Sequence, residues 1–280
     1  IVGAGAMGSG IAQIASQAGQ DVVLFDLSQE ALTSSSSKLQ KVMNRLIEKG
    51  KVTSDEAIAI QERIVRTTMA TSLKDCDLII EAVVEDLEVK KRVFKSIEEI
   101  ASKEAIIASN TSSLSITSLA SFCAHPDRVV GLHFFNPAPL MPLVEIIPAL
   151  QTNRDLPKHL TDLMRKWGKS PVIAKDTPGF IVNRVARPFY GEALRILDEG
   201  IADVPTIDAA MRESGFRMGP FQLMDLIGHD VNYSVTESVF KSFYYDPRYM
   251  PSITQLKLVE AGWLGRKSGR GFYNYNEENE

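Results

Sequence analysis

From residue 1 to about residue 175, short apolar runs of β type alternate with stretches of helical periodicity, and after Asp176 the alternation stops. Nothing else in the chain restricts its folding as much. Near-continuous Val/Ile/Leu runs separated by helices are the mark of a mostly parallel sheet, because parallel neighbours need crossover connections and both sheet faces are then covered. The strand candidates are residues 1–2, 22–26, 64–67, 78–83, 105–109, 129–134, 143–147 and 172–174. Helical stretches fall at 7–18, 29–49, 53–61, 87–101 and 156–167. Beyond Asp176 only helical pattern remains, at 178–199, 204–213, 220–229, 231–245 and 253–261. Thr177-Pro178 reads as an N-cap followed by proline at the first helical position. A chain of 280 residues exceeds one ordinary core. The expectation is an α/β domain over 1–176 and a smaller all-helical domain over 177–280.

The first connection reads Gly3-Ala4-Gly5-Ala6-Met7-Gly8, a GxGxxG turn between a strand and a helix. Gly3 permits the tight turn, Gly5 lets the backbone approach a pyrophosphate, and Gly8 allows close helix–strand packing. The helix N-terminus then presents unpaired N–H groups to the phosphates. The next strand ends in Asp26, about 20 residues on, where a carboxylate accepts from the adenosine ribose hydroxyls and repels a 2′-phosphate. With Leu27 and Ser28 following and no arginine, the cofactor expected on this Rossmann-type domain is NAD. The chain opens on Ile-Val directly against the turn, so the first strand is nearly missing and the sequence reads as trimmed there.

Hydrophobic residues make up 44% and charged residues 24%, the balance of a globular chain. A formal net charge of −4 argues against a nucleic-acid partner. Cys76 and Cys123 lack metal or disulfide spacing and fit a reducing compartment. No apolar run reaches the roughly 18 residues that span a bilayer, and residues 1–18 lack a basic leader. A cytoplasmic protein without a membrane partner is expected.

The four histidines, His125, His133, His159 and His229, show no HExxH or other ligand spacing, so no metal is expected. There is no GxSxG elbow either. His133 ends the apolar run 129–132, where a strand of an open α/β sheet emerges near its cofactor. Glu145 lies within the next β-type run. A His and a Glu at neighbouring strand ends can pair, the carboxylate fixing the imidazole tautomer while the imidazole takes a hydroxyl proton. A histidine before a Pro-rich turn also has a purely structural reading, but a carboxylate in an apolar strand needs a partner. Residues 109–113, Ser-Asn-Thr-Ser-Ser, suit both an N-cap cluster for a helix at 116–121 and a substrate contact.

Several segments then resemble the signatures of the (S)-3-hydroxyacyl-CoA dehydrogenases. They are SNTSSL at 109–114, HFFNPAPLMPLVE at 133–145, DTPGFIVNR at 176–184, MGPFQLMDLIG at 218–228 and GRKSGRGFYNY at 265–275. The likeness runs nearly end to end and is nearest to bacterial 3-hydroxybutyryl-CoA and 3-hydroxyadipyl-CoA dehydrogenases. The resemblance implies a catalytic His133–Glu145 pair, with Ser112 and Asn183 holding the substrate oxygen and the site's network. It implies cofactor contacts from Gly3, Gly5, Ala6, Met7 and Gly8, and from Asp26, Glu85, Lys90, Ser112, Asn136 and Lys267. It also implies an acyl-coenzyme A substrate, a helical domain that closes the cleft, and a homodimer. Lys49 falls where the family has a basic residue for coenzyme A, although a nearby serine contact becomes Val42. Lys38, Lys41, Arg45 and Lys49 equally suit an ordinary solvated helix face. Val235, Val239, Phe240 and Phe243 are expected to leave apolar surface for a second copy. Arg187, Arg217 and Arg248 are expected at the solvated surface, with reception of a distal substrate carboxylate as the other use. Two competing functions remain: a dehydrogenase of a free hydroxy acid or sugar acid, and a non-catalytic NAD-binding relative.

Overall fold

One residue joins the two halves of the main sheet. In the computed structural model, which describes residues 1–276, β1 (Val22–Phe25) pairs in parallel with β2 (Ile64–Thr67). A second run is ordered β3 (Leu78–Glu81), β4 (Ile106–Ser109), β5 (Val129–Phe134), β6 (Leu143–Pro148) and β7 (Ser170–Ile173). Val2 bridges in parallel to both Phe25 and Glu81. Its N–H reaches Ile80 O at 2.9 Å and its carbonyl accepts from Ala82 at 2.8 Å, while Gly3 N–H reaches Phe25 O at 2.8 Å. The strand expected at the start of the chain is thus reduced to a bridge at Val2, whose own hydrogen bonds go to β3 and its following residue while Ile1 and Gly3 bond Phe25 on the other side.

All pairings are parallel except β5 with β6, which is antiparallel. The helices α1 (Ala6–Gln17), α2 (Gln29–Glu48), α3 (Ser54–Glu62), α4 (Leu87–Ile100), α5 (Ile116–Ala120) and α6 (Leu156–Lys166) connect or flank these strands. Ile11, Leu24, Ile80, Val130, Ile146 and Met164 share one buried cluster, so helices and strands close a common core. Every residue of β5 is buried, as a central strand covered on both faces requires.

The chain divides between Thr177 and Pro178. The second unit contains α7 (Val182–Asp198), α8 (Val204–Glu213), α9 (Pro220–Ile227), α10 (His229–Ser242) and α11 (Ile253–Glu260). Its core gathers Tyr190, Leu194, Ile207, Phe221 and Met224. The fold class is α/β: a mostly parallel sheet unit followed by a helical one. Residues 277–280, the end of the expected helical domain, lie outside the described residues.

The Thr177-Pro178 start signal is corrected. Gly179 and Phe180 both adopt left-handed backbone, at φ 73° and 48°, which a right-handed helix does not admit. Helix α7 therefore begins at Val182. Likewise Gly228, at φ 98°, separates α9 from α10, so the helix expected from 231 starts at His229.

Two buried carboxylates organise the helical unit. Asp208 accepts from the Phe221 and Gln222 N–H groups and from the Tyr273 hydroxyl. Asp225 accepts from the Phe272 and Tyr273 N–H groups, the Tyr275 hydroxyl and His229 Nε2, the last at 2.6 Å. Burial alone would raise the Asp225 carboxyl's affinity for protons, but these donors outweigh it and hold its pKa below the ordinary value. A Cβ at Gly271 would fall 2.1 Å from the Asp225 carboxylate, which explains a glycine there.

Candidate active site

The glycine turn follows Val2 and ends at the N-terminus of α1. Gly3 has φ 102°, and a Cβ on it would stand 2.8 Å from the Ala82 carbonyl oxygen. At Gly8 a Cβ would collide with the Gly3 carbonyl, so helix and turn meet there as closely as backbone allows. Gly5 differs: nothing lies within 4 Å of the Cβ it lacks, and as N-cap of α1 it supplies no side-chain cap. The turn therefore leaves open backbone at a helix N-terminus, the geometry that receives a pyrophosphate. Asp26, half-buried at the end of β1, accepts from Ala4 N–H at 2.7 Å and Ser28 N–H at 2.8 Å. A carboxylate has about four lone-pair sites, so capacity remains for ribose hydroxyls. These residues fit a dinucleotide.

Next along the carboxyl edge, Glu85 gathers the loop after β4. Its carboxylate accepts from Thr111 Oγ1 at 2.6 Å, Ser112 N–H at 3.0 Å and Ser113 Oγ at 2.9 Å. Lys90 Nζ lies 3.3 Å away. Burial works against the charge of Glu85, but Lys90 and these donors outweigh it, so its pKa sits below the ordinary range. Lys90 itself is 1% exposed and also pairs with Glu81, which is fully buried, at 2.6 Å. The other Glu81 oxygen accepts from Ser109 Oγ at 2.6 Å.

His133 and Glu145 stand directly opposite each other across the antiparallel β5–β6 ladder. Such partners project from the same sheet face with Cβ atoms about 5 Å apart. Nδ1 of His133 meets Glu145 Oε2 at 2.7 Å, with the two residues 5% and 0% exposed. With the carboxylate accepting at Nδ1, that nitrogen carries the proton of the neutral ring. Nε2 is then the basic position. The Phe135 ring packs on the imidazole at 4.4 Å. The turn, Glu85 and Ser112 follow the carboxyl ends of parallel strands and His133 is the penultimate residue of β5, at the edge where open α/β sheets bind their ligands.

Residues 1–177 match the family described as 3-hydroxyacyl-CoA dehydrogenase, NAD binding domain, and residues 179–275 match 3-hydroxyacyl-CoA dehydrogenase, C-terminal domain. The chain belongs to the 3-hydroxyacyl-CoA dehydrogenase family. It is 46% identical over 281 residues to 3-hydroxyadipyl-CoA dehydrogenase of Escherichia coli K12; the match covers 100% of this chain but 59% of that relative. It is 42% identical to 3-hydroxybutyryl-CoA dehydrogenase of Bradyrhizobium diazoefficiens, covering 98% of this chain and 94% of the other. The crystal structure of (S)-3-hydroxybutyryl-CoA dehydrogenase from Ralstonia eutropha matches with a TM-score of 0.94 and 41% identity, covering 98% and 97% of the two chains.

As a member of the 3-hydroxyacyl-CoA dehydrogenase family, the chain is an NAD-binding oxidoreductase. Its remaining candidate residues are placed as follows. Asn136 is exposed just past β5, and Lys49 is exposed at the C-cap of α2. In the helical unit, Asn183 stands in the first turn of α7, and Lys267 pairs with Asp230 at 2.5 Å. Sequence reasoning missed the carboxylates that build the site's frame. Glu81 anchors Lys90 and Ser109, and Asp176 caps α5 through Ile116 N–H at 3.0 Å and Thr117 N–H at 2.7 Å. Lys169 was missed too: buried, it donates to Ala138 O and Met141 O and so holds the Pro-rich loop after His133. The detectable signal was a charged residue inside or beside an apolar strand.

Proposed function

We propose that this dehydrogenase oxidises the 3-hydroxyl group of an (S)-3-hydroxyacyl-coenzyme A, such as 3-hydroxybutyryl-CoA, to the 3-oxo thioester, reversibly. The buried His133 Nδ1–Glu145 contact carries the reading. NAD, when bound, accepts the hydride from C3. The chain supplies the rest: Nε2 of His133 takes the hydroxyl proton, and Glu145 fixes the ring and stabilises its positive charge. Ser112 and Asn183 hold the substrate oxygen. Glu85, anchored by Lys90, positions Ser112 and borders the cofactor, and Lys267, Asn136 and the Gly3–Gly8 turn complete that contact. Lys49 binds the coenzyme A moiety. The decisive comparison is NADH formation from 3-hydroxybutyryl-CoA against free 3-hydroxybutyrate. Turnover of the thioester is expected, and turnover of the free acid alone would replace this function with that of a free-acid dehydrogenase.

Asp26 sets the cofactor. Asp26→Ala removes both its charge and its ribose acceptors, so the preference for NAD over NADP should fall about tenfold, the effect of one charge-assisted hydrogen bond. Wild-type protein that uses both cofactors equally well would refute this assignment.

We further place the protein in the cytoplasm, where the free thiols Cys76 and Cys123 remain reduced, and as a homodimer formed by the helical unit. Among the described residues no helix is long and apolar enough to cross a membrane. Of the apolar residues expected to face a second copy, Val239 is corrected, being 1% exposed in the core, whereas Val235, Phe240 and Phe243 are half-buried. Val185 at 69%, Tyr244 at 92% and Ile253 at 70% exposed add to the apolar surface of that unit. Light scattering at micromolar concentration should give twice the chain mass; a monomer removes the claim.

A further inference from the structure

Among the described residues, Arg187 is a buried cation with no acid beside it. It sits on α7 at 5% exposure, not at the solvated surface expected from the sequence. Its Nη1 donates to the Asn232 carbonyl and to Thr236 Oγ1, both at 2.9 Å, whereas its Nε is buried with no hydrogen-bond partner. Burial draws its pKa down to about 10, opposed only by Tyr190, whose ring lies 4.9 Å from the guanidinium carbon. By contrast, the exposed Arg248 pairs with Asp246 at 2.7 Å, and Arg217 is exposed.

The cleft that Arg187 lines is furnished with donors. Tyr190, Thr236, Arg248, Ser252 and Gln255 share its wall, and among the described residues no Asp or Glu does. An uncompensated buried charge destabilises a fold, and an apolar side chain of similar volume would remove that penalty. An arginine retained in such a place suits an anion that arrives from outside. Arg187 also follows Asn183 by four residues on α7, so the two stand on one helix face about 5–6 Å apart. Helical side chains lean toward the helix N-terminus, which here is the turn containing Asn183.

We propose that Arg187 determines specificity by receiving a carboxylate at the far end of the substrate's acyl chain, so that the preferred substrate is a dicarboxylic 3-hydroxyacyl thioester. This rests on the assignment of Asn183 to the substrate oxygen. In a six-carbon acyl chain, three carbon–carbon bonds of about 1.5 Å each separate the hydroxyl-bearing carbon from the terminal carboxyl, a span of roughly 4 Å. That span falls about 1–2 Å short of the one-turn separation of Asn183 and Arg187, a difference their two side chains can take up. The orphan Nε and a neighbouring Nη form the planar fork that a carboxylate engages through two parallel hydrogen bonds.

The test compares 3-hydroxyadipyl-CoA with 3-hydroxyhexanoyl-CoA, which have the same length and differ by the charged end, with 3-hydroxybutyryl-CoA as reference. Wild-type protein should show kcat/KM at least tenfold higher for the adipyl than for the hexanoyl thioester, mainly through KM. Arg187→Leu should bring that ratio near one, and Arg187→Lys should leave it between the two. A wild-type ratio near one, with the butyryl thioester turned over, would make Arg187 only a tie between α7 and α10; this measurement decides even if a variant does not fold. A ratio unchanged in folded Arg187→Leu overturns the assignment equally. Failure to oxidise any of the thioesters would instead remove the proposed function, and this inference with it.

Discussion

His133→Ala should lower kcat for 3-hydroxybutyryl-CoA oxidation by about 10²–10⁴-fold, the contribution of a positioned general base. The hydroxyl proton must leave as hydride departs from the same carbon, and Nε2 of His133, the ring nitrogen opposite the one that meets Glu145, is the base that takes it. The Gly3–Gly8 turn and Asp26 are built independently of His133, so NADH affinity, read by fluorescence titration, should stay within a few-fold of wild type. A variant that retains wild-type kcat would remove the base from the mechanism. One that loses NADH binding would show that His133 supports the cofactor cradle instead.

Glu145→Gln should also reduce kcat, by a smaller factor. The amide keeps the shape and can still hydrogen-bond to Nδ1, but it cannot offset the charge the ring acquires on taking a proton. A hydrogen bond to a charged group contributes about 1.5–3 kcal/mol, so a loss of roughly 10–100-fold is expected. The effect belongs to kcat, since Glu145 is fully buried behind the imidazole. A change confined to KM would mean that Glu145 shapes binding and not proton transfer.

The parallel sheet was legible because buried strands read as continuous apolar runs, and every expected run carries a strand or, at Val2, a bridge. Direction was not legible. An apolar run such as Leu143–Pro148 looks the same either way, and only its pairing with β5 reveals the antiparallel turn that sets Glu145 opposite His133. Helix α7 was misplaced because the Thr-Pro signal is local and does not register the left-handed backbone at Gly179 and the buried Phe180 that follows it. The supporting carboxylates were hidden for another reason. Glu81 meets Ser109 across 28 residues and Asp225 meets Tyr275 across 50, separations at which no spacing rule operates. Arg187 could be singled out as a charge in a helical pattern, but its burial needed the packing of α7 on α10.

The claim that His133 and Glu145 act as one unit is tested most directly by kcat for wild type, His133→Ala, Glu145→Gln and the double variant. Once the imidazole is gone, Glu145 has no ring to orient and no charge to stabilise. The double variant should then be little slower than His133→Ala alone. Losses that multiply across the two substitutions would contradict the account, because they would mean that each residue serves the reaction independently of the other.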